Sequence, residues 1–239
     1  MLKKISKILI IFIVGMIGGI FADQIFWPYF IERPLFYKYG LDQQPVNVIE
    51  KSEIYIQENE ALQGAALKVK NSVVYVKTIT AEGKTLEGSG LAVTSDGLIV
   101  TLNSLIPMGE DFFFFAEGKQ ASYQVMKRDK ESNLALVKLG ASNLSAAEFA
   151  DLGQKKEGER IFLAGMLSDS DGIPHYYLNE GIISSLSKDF FLTNILEKER
   201  IQGSPLFDVK GAMVGLAQVG PEGEVIGIPA SLVKDFINI

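Results

Sequence analysis

The chain has no cysteine and one histidine, His175, among its 239 residues. The first absence excludes a disulfide framework and a thiol nucleophile, and it leaves the redox compartment open. The second is more restrictive. A Ser–His–Asp relay needs an imidazole that titrates near neutrality and touches the nucleophile, so any such mechanism must run through His175. A multi-histidine metal site is excluded on the same ground, and the sequence implies neither a metal nor another cofactor. Positive charge is also in deficit, with 23 Lys and Arg against 29 Asp and Glu, a formal net charge of −6. Nucleic acid, whose binding demands a basic face, is therefore not an expected partner.

With 47% hydrophobic and 22% charged residues the chain is globular in composition. Its first apolar run is Ile8–Ala22, fifteen residues without a charge, preceded by Lys3, Lys4 and Lys7. Alone this run spans roughly 22 Å at 1.5 Å per residue, short of the roughly 30 Å hydrocarbon core. Ile25, Phe26, Trp27, Tyr29 and Phe30 extend it past Asp23 and Gln24, with Trp27 and Tyr29 of the types found at headgroup level. Residues 1–30 thus read as a cytoplasmic tip and a single transmembrane anchor contacting membrane lipid, with the remainder extracytoplasmic. The alternative is a signal peptide cut after Gly19-Ile20-Phe21-Ala22, which would release a secreted protein.

Residues 31–58 mix proline, charge and short apolar runs and read as a stalk. Asn59 is placed to cap a helix over Glu60–Lys70, where Ala61, Leu62, Ala65, Ala66 and Val69 recur at helical spacing. From Ser72 onward the pattern changes to about a dozen short β-rich runs. Asp96-Gly97, Glu117-Gly118 and Glu222-Gly223 sit between such runs as hairpin signals. Residues 140–156 are weaker in β pattern and divide this region into halves. The expected domains are 59–148, a helix and first β-barrel, and 149–239, a second barrel and C-terminal helix. Periodicity alone reaches an exported, membrane-tethered, all-β protein.

Four collinear segments carry the reading further. Gly88–Ile106 (GSGLAVTSDGLIVTLNSLI), Asp129–Leu139 (DKESNLALVKL), Thr193–Leu216 (TNILEKERIQGSPLFDVKGAMVGL) and Val225–Ile237 (VIGIPASLVKDFI) resemble the HtrA/Deg family of trypsin-like serine proteases. The resemblance implies two six-stranded antiparallel barrels with a crossover near residues 146–158. It also implies that the chain ends after the closing helix, without the PDZ module found in many members.

The same segments imply a lost catalytic triad. The family's histidine falls on Ser104, after Thr101-Leu102-Asn103, and its aspartate on Asn133, before Leu134-Ala135. Gly203-Ser204-Pro205-Leu206 stands where the family has Gly-Gly-Pro-Leu, which puts Gln202 at the nucleophile. Arg200 takes the glycine whose N–H helps form the oxyanion hole, and its side chain disfavours a left-handed backbone there. Serine is no neutral-pH base, asparagine carries no charge to stabilise an imidazolium, and a glutamine amide is no nucleophile.

Other residues have plainer readings. His175 is a loop histidine on the rim of the cleft, and Ser204 has no base beside it. Asp129 and Glu131 are solvated turn acids. Phe112–Phe115 alternates two rings into the core and two outward, the latter under the stalk, with a partner-binding patch as the alternative. Leu216, Ala217, Gln218 and Val219 form the strand that pairs with substrate in active relatives. Strand addition can outlast the triad, so this is a candidate peptide-binding strand; a closed cleft is the alternative. The function implied is a catalytically inactive scaffold or a module binding peptides or envelope proteins. An active endopeptidase with a non-standard arrangement is the alternative, and an accessory subunit of an envelope complex is a third.

Overall fold

The computed structural model describes residues 2–32, 58–169 and 171–237. It divides into two units, Met1–Ile54 and Tyr55–Ile239. In the first, helix α1 (Leu2–Phe21) continues in wider, π-type turns over Ala22–Glu32. No proline or charge interrupts the stretch between Ile8 and Ala22, and the Ile, Leu and Phe side chains of that stretch are exposed. Lys4–Trp27 forms a 24-residue stretch of mean hydropathy 2.4, long and apolar enough to cross a membrane or act as a signal sequence. At 1.5 Å per residue it reaches about 36 Å, against about 30 Å of hydrocarbon. The stalk expected over residues 31–58 lies almost wholly outside the described residues.

The second unit opens with α2 (Glu58–Val69), which begins earlier than expected, so Asn59 lies in its first turn instead of capping it. Seven strands follow: β1 (Val73–Ile79), β2 (Thr85–Ala92), β3 (Leu98–Leu102), β4 (Asp111–Ala116), β5 (Lys119–Ala121), β6 (Tyr123–Asp129) and β7 (Leu134–Leu139). They form one sheet in the order β5-β4-β1-β2-β3-β7-β6, a half-barrel open between β5 and β6. After a connection carrying β8 (Glu148–Phe149) come β9 (Arg160–Ser168), β10 (Pro174–Leu186), β11 (Phe191–Leu196), β12 (Pro205–Asp208), β13 (Ala212–Val219) and β14 (Glu224–Pro229). These six close into a barrel, β12-β9-β10-β11-β14-β13, because β12 also pairs with β13; β8 adds to β13 in parallel. Helix α3 (Ala230–Ile237) ends the described chain. This is the chymotrypsin-like, mostly-β architecture expected.

The three hairpin signals fall where expected. Glu117 and Gly118 both have positive φ (50° and 75°) between β4 and β5, the requirement of a two-residue type I′ turn. Gly97 and Gly223 supply positive φ in the other two. Strand β9 explains why Ile161–Ala164 reads as a continuous apolar run. Ile161 and Leu163 point into the closed barrel, while Phe162 and Ala164 join the larger core shared with the first sheet and α3. A strand buried on both faces shows no alternation. Each of these fully buried large side chains contributes about 1.5–3 kcal/mol.

Strand β2 lies against the loop that precedes β12. The Ser89 N–H donates to the Gln202 carbonyl at 2.9 Å, and the Met166 N–H on β9 donates to Ser89 Oγ at 2.9 Å. A Cβ on Gly88 would collide with the Gln202 carbonyl and the Leu105 side chain. The Gly-Ser-Gly motif is thus the place where one backbone rests directly on another.

Candidate functional site

Ser104 sits in a short 3-10 turn, Asn103–Leu105, after β3. Asn133 ends the turn before β7 with φ +56°, a conformation asparagine tolerates better than most residues. The two are bound reciprocally. Ser104 N–H donates to Asn133 Oδ1 at 2.9 Å, and Asn133 Nδ2 donates to Ser104 Oγ at 3.2 Å. The Asn133 carbonyl also accepts from the Asn103 N–H at 2.9 Å. Ser104 is exposed and Asn133 half-buried.

Gln202 follows the 3-10 turn Glu199–Ile201 in an extended conformation (φ −48°, ψ 136°), and Gly203 then turns the chain at φ +73°. Its carboxamide is bound at both ends to one residue of β13. Nε2 donates to the Val219 carbonyl at 3.0 Å, and the Val219 N–H donates to Oε1 at 3.1 Å. Ser104, Leu105, Glu87, Arg200 and Gln202 line a common cavity of about 200 Å³. Positions 104, 133 and 202 are therefore brought together from three separate segments. The Gln202 N–H donates to the Glu199 carbonyl at 3.1 Å, and the Ile201 N–H to the Lys198 carbonyl at 3.1 Å, so these donors are spent within the loop. Among the described residues the non-glycine positions with positive φ are Glu117, Asn133 and Asn143, so Arg200 has no left-handed backbone.

A second cluster borders the cavity and was not foreseen from the sequence. Arg200 Nε donates to Glu87 Oε2 at 2.5 Å, while Tyr75 Oη and Ser168 Oγ donate to Oε1 at 2.8 and 2.5 Å. Arg200 Nη2 also reaches the Ser168 carbonyl and, at 3.1 Å, its hydroxyl. Burial would raise the Glu87 carboxyl, but the bonds from Ser168, Tyr75 and Arg200 and the Arg200 charge outweigh it and hold the group below the usual carboxylate range. Burial first, and then the adjacent carboxylate, pushes the Tyr75 phenol up to about 12. The cluster joins β1, β2, β9 and the loop before β12. Arg200 and Glu87 are 113 residues apart, and no local pattern marks either as a partner of the other.

The remaining candidates lie elsewhere. His175 is exposed on strand β10 opposite Leu167, not on a loop as expected, and it lines a different cavity of about 360 Å³ with Lys70, Glu117 and Tyr176. Ser204 is fully buried, 3.2 Å from Ser89 Oγ. Asp129 accepts from the Glu131 N–H and the Ser132 hydroxyl; the Ser132 bond, chiefly, holds its carboxyl low. Phe112 and Phe114 are core residues, and Phe115 packs its ring on Tyr75 at 5.7 Å. Leu216–Val219 pairs with β14 along one edge. Along the other, Leu216 faces Pro205, Ala217 exchanges bonds of 2.8 Å with Gly203 and Ser204, and Val219 is filled by Gln202.

The model of the trypsin-like peptidase domain family matches residues 88–216. The chain belongs to that family. The matched stretch runs from the Gly-Ser-Gly strand to Leu216 and so contains all four residues singled out at the cleft. Many solved chains match, among them two proteases that share the fold. The serine endoprotease from Yersinia pestis is 21% identical with a TM-score of 0.64, over 74% of this chain and 65% of its own. The HtrA-type protease AlgW, solved as a variant with a tripeptide, is 19% identical with a TM-score of 0.64, over 74% and 62%. The chain thus spans less than two thirds of the length of either. No curated protein matches it.

Proposed function

We propose that this family member no longer hydrolyses peptides and acts as a membrane-anchored peptide- or protein-binding module, with its β domain on the outer side of the membrane at the cell envelope. The observation that carries this reading is the Ser104–Asn133 pair with Gln202 facing the same cavity. Covalent catalysis needs a nucleophile, a base within about 3 Å of it and a group that orients the base. Here a hydroxyl is bound to a neutral amide and the third side chain is another neutral amide, so no member takes up a proton near neutrality. The family's nucleophile falls on Gln202, its histidine on Ser104 and its aspartate on Asn133. Arg200 falls on the oxyanion glycine, and the Gln202 N–H that would share that task is bound to Glu199.

A migrated centre has little support: His175 opens on another cavity, and the Ser204 hydroxyl faces Ser89. Lysines 3, 4 and 7 before the apolar helix favour a retained anchor with the β domain outside. That an HtrA-type protein of this fold was solved with a tripeptide supports peptide binding as the retained property.

The test is hydrolysis of unfolded casein by the purified full chain in lipid nanodiscs. We expect background rates, unchanged by Gln202→Ser, which returns neither base nor carboxylate. The smallest change that returns all three groups is Ser104→His with Asn133→Asp and Gln202→Ser. Turnover by the unmodified chain, lost on Ser204→Ala or His175→Ala, contradicts the reading. For the anchor, the chain should stay in the membrane pellet through an alkaline wash, and a soluble form beginning near Asp23 would instead show cleavage.

A further inference from the structure

We infer that Gln202 is a latch on the edge of β13: its side-chain amide occupies the one backbone position of that strand open to an extended peptide, and peptide binding requires its displacement. The inference rests on the peptide-binding reading above. Along β13 the backbone groups that point away from β14 belong to alternate residues, as in any antiparallel ladder. Met213 and Gly215 meet Phe207 and Leu206 of β12, and Ala217 exchanges bonds with the backbone of Gly203 and Ser204. Val219 is next in the series. Main chain is lacking there because Gly203, at φ +73°, has turned the incoming segment away from the strand. Beyond Val219 the chain closes on itself, with Gly220 N–H donating to the Glu224 carbonyl at 2.9 Å.

An unpaired N–H and C=O at a strand edge is a template for another strand. Gln202 fills it with a carboxamide, which presents one donor and one acceptor in the geometry of a peptide unit. Rotating the amide by half a turn would set donor against donor and acceptor against acceptor, so the pairing fixes its orientation. Gln202 also lines the cavity of about 200 Å³ shared with Ser104 and Arg200, so its side chain borders open space into which it can swing. The occupant that fits is an extended, unfolded peptide segment whose own peptide unit takes the amide's place.

The experiment uses the full chain in nanodiscs, unmodified or as Gln202→Ala or Gln202→Glu. Amide hydrogen exchange is read at Val219 and Ala217, and binding of labelled randomised decapeptides by fluorescence anisotropy. Losing two neutral hydrogen bonds should speed Val219 exchange and tighten peptide binding by about tenfold in Gln202→Ala, with Ala217 unchanged. Gln202→Glu has the same shape. Its carboxylate can accept from the Val219 N–H but cannot donate to the carbonyl, so it should bind peptide more tightly than the unmodified chain at neutral pH. That gain should disappear as acid protonates the group. Unchanged Val219 exchange in both variants overturns the latch. Equal, measurable peptide affinity for all three proteins also overturns it while leaving the binding module standing. Faster Val219 exchange with no peptide bound by any of the proteins overturns the binding module, and the latch's role with it.

Discussion

Arg200 and Gln202 are two residues apart on one loop, and the loop treats them differently. At Arg200 a charged side chain, about half exposed, meets a carboxylate that is 12% exposed and already holds two hydroxyl donors. At Gln202 a neutral amide pairs with one backbone residue, and across the cavity Ser104 and Asn133 do much the same with each other. The charge in this cleft stands beside Ser104, Asn133 and Gln202, not on them, and it ties strands of the first sheet to the closed barrel. An active centre needs its charged groups under-satisfied, ready to exchange a proton with substrate. Glu87 has three donors and no proton to exchange near neutrality. Arg200 and Glu87 make the loop a clamp, while Ser104, Asn133 and Gln202 are all neutral side chains.

The comparison fails if the neutral side proves as costly to disturb as the charged one. Glu87→Ala leaves Arg200 unpaired and Tyr75 and Ser168 without their acceptor. With the discount due to a half-exposed Arg200, it should cost about 2–3 kcal/mol, a fall of roughly 5–10 °C in Tm by calorimetry. Asn133→Ala forces a positive φ on a residue that resists it and breaks the link to Ser104, for about 1–2 kcal/mol by urea unfolding. Ser104→Ala, at an exposed hydroxyl, should change stability by no more than about 0.5 kcal/mol in the same titration.

Acid sharpens the same contrast. The folded Glu87 carboxyl lies below its unfolded value, so its contribution is complete above the unfolded value of about 4.3 and is lost as pH falls through the folded one. Between about pH 5 and pH 3 the unmodified chain should therefore lose more Tm than Glu87→Gln does. Asn133→Ala should track the unmodified chain, since it removes no titrating group. Parallel curves for Glu87→Gln and the unmodified chain would show that the clamp carries no charge-dependent stability.

The sequence made some of this legible and hid the rest for identifiable reasons. Turns were readable because Asp96-Gly97, Glu117-Gly118 and Glu222-Gly223 carry a local conformational requirement. The meeting of Ser104, Asn133 and Gln202 was readable only through the resemblance, since segments so far apart in the chain leave no periodic signal. Glu87, Tyr75 and Ser168 were missed because each is an ordinary strand residue until Arg200 arrives from another segment. A closed cleft was one of the two readings open for β13, but Gln202 could not be named as the residue that fills it, because a glutamine that pairs like a peptide unit looks, in sequence, like any other glutamine. The open first sheet follows from strand pairing between β4 and β5 and between β6 and β7 without a bridge from β5 to β6, a choice that strand patterns alone do not make.

Labelling with a fluorophosphonate probe tests the proposed loss of catalysis most directly, because the probe reacts only with a serine whose proton a neighbouring base has taken. The full chain in nanodiscs should remain unlabelled at neutral pH under conditions that label an active trypsin-like protease to completion, and Gln202→Ser should remain unlabelled too. Stoichiometric labelling of the unmodified chain, abolished by Ser204→Ala, Ser104→Ala or His175→Ala, would contradict it and reveal an active centre assembled from residues outside the family's arrangement.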